Sequence, residues 1–132
     1  MSLSVPYGPK ILEHFRKPRN RGALPGAQVS QEGHNPLCGD RVRIELLLDG
    51  DVIENARFTA NACAVCVAAA SVMTELIRGA PLEDVASLTL PEVLAALEAD
   101  LPSARLACAR LPLTVLHTAL TLHERRTAPG AG

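Results

Sequence analysis

The chain has 132 residues, a formal net charge of −1 and a hydrophobic fraction of 48%. That length predicts one domain spanning residues 1–132, able to bury about two-thirds of its unfolded surface without a disulfide. The near-neutral charge and an aromatic set limited to Tyr7, Phe15 and Phe58 exclude a basic nucleic-acid footprint and a base-stacking surface.

In chain order, Lys10 to Lys17 reads as a short amphipathic helix with Ile11, Leu12 and Phe15 on one side, ended by Pro18 and Asn20-Arg21-Gly22. The Gly- and Pro-punctuated stretch Leu24 to Pro36 is expected to hold an edge strand near Gln28 to Gln31. Val42 to Leu48 alternates as a strand, with Val42, Ile44, Leu46 and Leu48 on one face. Asp49-Gly50 is a hairpin signal, and the return strand Val52 to Ala60 is expected to turn Val52, Ala56, Phe58 and Ala60 inward. Ala64 to Arg78 reads as a largely buried helix, with Val65, Ala68, Val72 and Leu76 at helical spacing and Gly79 and Pro81 as its stop. Short helices follow near Leu82 to Ala86 and Pro91 to Ala99. The last helix, Ser103 to Arg125, contains Pro112, whose ring meets the carbonyl of Cys108. A kink or restart is therefore expected between them, placing Cys108 at a helix boundary. Thr127 to Gly132 reads as a frayed tail. A helix, two or three antiparallel strands and then a run of helices define an α+β fold.

No apolar run approaches the roughly 20 residues needed to cross a bilayer. The segment Met1 to Pro9 lacks the layout of a signal peptide, so the expected compartment is the reducing cytoplasm. There, four cysteines are metal ligands or reactive thiols before they are disulfides.

Cys38 and Asp40, in Asn35-Pro36-Leu37-Cys38-Gly39-Asp40, offer a soft and a hard donor two residues apart, which suits Zn²⁺ or iron. The bland reading is a core cysteine and a turn-capping aspartate. Cys63 falls where the second strand meets the apolar helix, and amides at a helix start favour a thiolate. Cys66 forms Cys63-Ala64-Val65-Cys66 with it, a spacing used by zinc sites and redox pairs, but the hairpin before Cys63 argues against a redox pair and a core residue on the first helical turn is the favoured reading. Cys108 has cationic neighbours in Arg105 and Arg110. Three thiolates and one carboxylate can close a tetrahedral Zn²⁺ site whose net charge Arg105 would offset in part. The same anions could hold a two-iron cluster. His34 reads as a loop residue, and His14, His117 and His123 lie at helix positions without a paired ligand and read as surface or partly buried rather than catalytic.

Tyr7 to Gly22, Asn35 to Asp40, Ala62 to Glu75 and Arg105 to Cys108 with Leu111-Pro112 resemble, in order, the opening helix and three ligand motifs of the IscU/SufU/NifU N-terminal family. The resemblance implies a SufE/NifU-like α+β fold with a small antiparallel sheet of about three strands packed by several helices. It implies a non-enzymatic scaffold that receives sulfur from a cysteine desulfurase, assembles a transient 2Fe-2S cluster and passes it to recipient apo-proteins. Cys38, Cys63 and Cys108 would be the thiolate ligands and Asp40 the labile one, with Arg105 as an auxiliary residue; Cys66, where the family often carries serine or alanine, is a departure read as an auxiliary sulfur acceptor. A zinc-dependent sulfur-transfer role of the SufU kind is the alternative, with Zn²⁺ in the purified form. A thiol–disulfide module built on Cys63 and Cys66 is a further one. Ala107 stands where IscU-like members carry histidine, and the insertion of SufU-like members between the second and third cysteines is absent. Leu101 to Arg105 resembles only in part the segment through which IscU meets a chaperone.

Overall fold

A computed structural model describes residues 8–37 and 39–127; Cys38 and most of the expected tail lie outside them. Helix α1 (Pro9–Arg16) precedes strands β1 (Val29–His34), β2 (Arg41–Asp49) and β3 (Val52–Asn61). Helices α2 (Ala64–Ile77), α3 (Leu82–Ala86), α4 (Leu90–Ala96) and α5 (Ser103–Thr127) complete the chain. The strands form an antiparallel sheet in the order β1-β2-β3, one face of which carries the helices. This is the α+β architecture expected from the sequence.

The core is aliphatic, as the scarcity of aromatics requires. Val42, Ile44 and Leu46 of β2 are buried at every second position. Strand β3 departs from the expected face. Leu47 pairs with Asn55 but Leu48 pairs with Ile53, so Glu54 is an extra residue that shifts the register. Ile53 therefore turns inward with Ala56 and Phe58, whereas Val52 is exposed. The hairpin turn is Gly50-Asp51, one residue beyond the expected pair, because Asp49 still pairs with Val52; Gly50 supplies the positive φ of 60°.

The outer edge of β3 is covered twice. Gly22 N–H donates to the Phe58 carbonyl (2.8 Å) and Phe58 N–H to the Asn20 carbonyl (3.0 Å). Further along, Ile53 N–H donates to the Ala80 carbonyl (3.0 Å) and Gly79 N–H to the Ile53 carbonyl (2.7 Å). These segments occupy ladder positions that would otherwise invite another chain.

Helix α2 is the central element, buried along Val65 to Thr74. Leu76, expected to be inside, is exposed. Helix α1 buries Ile11 and His14 and leaves Phe15 outside, a correction to the expected apolar side. Helix α4 starts one residue earlier than expected. Thr89 caps it, accepting from the Glu92 amide, and the Glu92 carboxylate accepts from the Thr89 amide and hydroxyl.

Helix α5 corrects the expected restart at Pro112. It does not restart but runs unbroken from Ser103 to Thr127. Position 112 can donate no N–H, yet Cys108, Ala109 and Leu111 before it and Leu113, Val115 and Leu116 after it are all buried. Packing against β1, β2 and α2 holds both halves in one helix. Thr127, expected to fray, closes the helix and donates from Oγ1 to the His123 carbonyl (3.1 Å). Among the described residues, no helix is long and apolar enough to cross a membrane.

Candidate metal centre

Three of the four expected ligands lie in the described residues, and each arrives on a different element. The β2–β3 register pairs Arg41 with Asn61, so one step further places Asp40 opposite Ala62 and next to Cys63. The β1–β2 connection holds Asp40 there. Asn35 N–H donates to the Asp40 carbonyl (2.8 Å), Gly39 N–H to the Asn35 carbonyl (2.7 Å), and Leu37 N–H to Asn35 Oδ1 (3.0 Å). Gly39 has φ 76°, a left-handed conformation that a side chain would strain.

Cys63 is the N-cap of α2, in extended backbone, with its carbonyl already accepting from Val67 N–H (3.0 Å). Its amide is one of the donors that a helix start leaves without an internal acceptor. Asp40 Oδ1 takes it at 3.1 Å. Cys108 comes from α5, whose depth is set at Gly33 of β1. A Cβ on Gly33 would stand 2.6 Å from Val115 Cγ2, so only glycine permits this approach. Cys108 lies seven residues before Val115, two turns along the same helix face, or about 10 Å.

Donor atoms of Asp40, Cys63 and Cys108 all lie within 4.8 Å of one another. Asp40 is 5% exposed and Cys108 3%, whereas Cys63 is partly open to solvent. Asp40 Oδ2 is buried and meets no hydrogen-bond donor among the described residues. A buried carboxylate oxygen in that position is costly unless something positive reaches it. Two sulfurs and one carboxylate, grouped around an orphaned buried oxygen, suit Zn²⁺ or iron and leave a coordination position to fill. The structure thus gathers three of the residues expected from the sequence. Cys38 is outside the described residues. Cys66 is not in the group; it sits one turn into α2, fully buried. Arg105 is partly buried on α5, three residues before Cys108 and so on a neighbouring part of the same face. A cleft of about 670 Å³ lined by Asp51, Leu82, Glu83, Leu120, His123 and Glu124 involves none of the three donors.

The sequence reading missed a second polar cluster, centred on His14. His14 is buried and its Nδ1 is 2.7 Å from Ser71 Oγ. Arg19 N–H donates to the same oxygen (2.8 Å), so Ser71 joins the two segments. Burial pushes the His14 pKa below its ordinary value, with the Arg19 charge acting in the same direction and Glu75 opposing. Its position three residues after Ile11, on one helical face, was the legible signal.

Residues 6–129 match the model of the NifU-like N terminal domain, and the chain belongs to that family. It is 39% identical over 88 residues to the Bacillus subtilis zinc-dependent sulfurtransferase SufU, covering 67% of this chain and 59% of that protein. It is 35% identical over 120 residues to the Aquifex aeolicus iron-sulfur cluster assembly scaffold protein IscU, covering 89% of this chain and 76% of the relative. Among solved structures it resembles FiSufU from Fervidobacterium islandicum, described as a candidate iron-sulfur cluster assembly scaffold for the SUF system. There the TM-score is 0.74 at 25% identity, covering 86% of this chain and 96% of that one.

Proposed function

We propose that this protein is a cytoplasmic, single-domain scaffold for iron–sulfur cluster assembly. Asp40, Cys63 and Cys108 would hold the nascent cluster, with Cys38 as the further thiolate. The observation that carries this reading is the convergence of three donors from a loop, a helix start and a distant helix, within 4.8 Å. Its support from relatives is the family match and the name of the Aquifex protein. The thiolates are the durable donors. The carboxylate is a harder and more exchangeable ligand, which suits a site that must surrender its cargo. Sulfur would come from a cysteine desulfurase as a persulfide, and the finished cluster would leave to apo-proteins. Cys63 is the donor best placed to meet an incoming persulfide, because it is the more exposed of the two described thiols in the group.

The B. subtilis relative favours a second reading, a zinc-dependent sulfur carrier. Zinc, when bound, would draw the three donors together and relieve the repulsion among their charges. Asp40 would then position Cys63 through its amide, while Cys63 takes up sulfur.

Anaerobic incubation with ferrous iron, cysteine and a desulfurase separates the two. Visible charge-transfer absorption with acid-labile sulfide, lost in Cys63→Ala and Cys108→Ala, is the outcome expected of a scaffold. Tight zinc, no labile sulfide and faster desulfurase turnover would replace that reading with the carrier. Absence of bound metal in every preparation would remove both.

A further inference from the structure

Cys66 is a second thiol one helical turn from Cys63, and the metal site does not use it. Cys63 is the N-cap of α2, which makes Cys66 its N3 residue. N-cap and N3 are the positions from which side chains reach one another across a helix start. Helix α4 does this in the same molecule: Thr89 at N-cap donates from Oγ1 to the Glu92 carboxylate at N3, 2.9 Å away. The Cys63 side chain makes no capping hydrogen bond to the helix that would hold it elsewhere. Helix geometry sets Cα atoms three residues apart at about 5 Å, inside the span a disulfide bridges. One thiol is partly exposed and the other fully buried.

We propose that Cys66 releases the sulfur taken up by Cys63 as sulfide. Sulfur arriving as a persulfide is at the oxidation level of elemental sulfur, whereas a cluster needs sulfide, two electrons lower. The Cys66 sulfur attacks the inner sulfur of the Cys63 persulfide. A Cys63–Cys66 bond forms and the bond to the outer sulfur breaks. The outer sulfur leaves with the electron pair and takes up the Cys66 proton, so that persulfide plus thiol become disulfide plus hydrogen sulfide. The two cysteine sulfurs are oxidised together by two electrons and the departing sulfur gains both. An external dithiol then resets the pair. Attack within one helical turn has the advantage of a high effective concentration. Using Cys66 leaves Cys108 and Asp40 to their roles as donors.

This inference rests on the reading of Cys63 as a sulfur acceptor, but its test needs neither desulfurase nor metal. Reduced, metal-free full-length protein is loaded anaerobically with tetrasulfide, desalted and followed by intact mass, peptide mapping and sulfide evolution. Wild type should evolve about one sulfide per persulfide on Cys63 and end with a Cys63–Cys66 disulfide, 2 Da lighter than the dithiol. Cys66→Ala and Cys66→Ser, checked for folding by circular dichroism, should keep the added 32 Da and evolve sulfide at least about tenfold more slowly. Equal persistence of the persulfide in folded variants and wild type would overturn the proposal, as would a bridge from Cys63 to Cys108. Zinc binding by the same Cys66→Ala protein is the control. Its retention alongside unchanged sulfide release would reject the inference and leave the scaffold reading standing.

Discussion

The carboxylate of Asp40 accepts the Cys63 amide through Oδ1, while its second oxygen is buried with no donor among the described residues. Those two roles separate by mutation. Asp40→Asn keeps the acceptor and the volume, so its thermal stability should stay within about 1 kcal/mol of wild type. Its zinc affinity, measured by competition with a chromophoric chelator, should fall at least tenfold. Asp40→Ala should lose stability as well, by about 1–3 kcal/mol, because the helix-start amide is orphaned. His14 carries a pH prediction. Its folded pKa is depressed mainly by burial, so the unfolded chain binds the proton more readily. The stability it contributes is complete above the unfolded value of about 6.5 and falls as pH drops below it, by at most about 1.4 kcal/mol per pH unit. The loss levels off beneath the lowered folded value. Urea melts should find His14→Gln less stable than wild type at pH 8, with the gap narrowing toward pH 5. At this scale Asp40, Cys63 and Cys108 were legible as candidates because thiolates and carboxylates are the donors that Zn²⁺ and iron take. The Ser71 contact to His14 was not legible, because it joins residues 57 apart and depends on how α1 lies on α2.

Among the elements, strand and helix identities followed from periodicity, whereas their faces did not always do so. The Glu54 bulge exchanged Val52 for Ile53 in the core, and nothing in a two-residue alternation announces where a strand gains a residue. Pro112 misled only as to a restart. The local clash is real, but buried residues on both sides keep α5 whole. Contact between α5 and β1 offers a sharp test. Gly33→Ala should destabilise by about 1–3 kcal/mol, because the new methyl meets Val115 Cγ2 at 2.6 Å. In a Val115→Ala background the nearest remaining atom of residue 115 is its Cβ, at 3.9 Å, so the penalty should disappear. A double-mutant cycle by chemical denaturation reads that coupling directly.

For the whole molecule, the three donors tie the β1–β2 connection, the start of α2 and α5 to one point. An ion bound there stabilises only the folded arrangement. Free zinc at a thousand times its dissociation constant should therefore raise unfolding stability by about 4 kcal/mol, with a much smaller rise in Cys108→Ala, as read by calorimetry. The α+β class was legible from the order of patterned segments. The spatial meeting of the donors was not, since Asp40 and Cys108 belong to segments whose proximity only the packed sheet creates. That proximity also sets a schedule for the growing polypeptide. Cys108 sits on α5, so that helix must be made before Asp40, Cys63 and Cys108 can meet. Until α5 emerges and docks, the growing polypeptide lacks one of the three grouped donors.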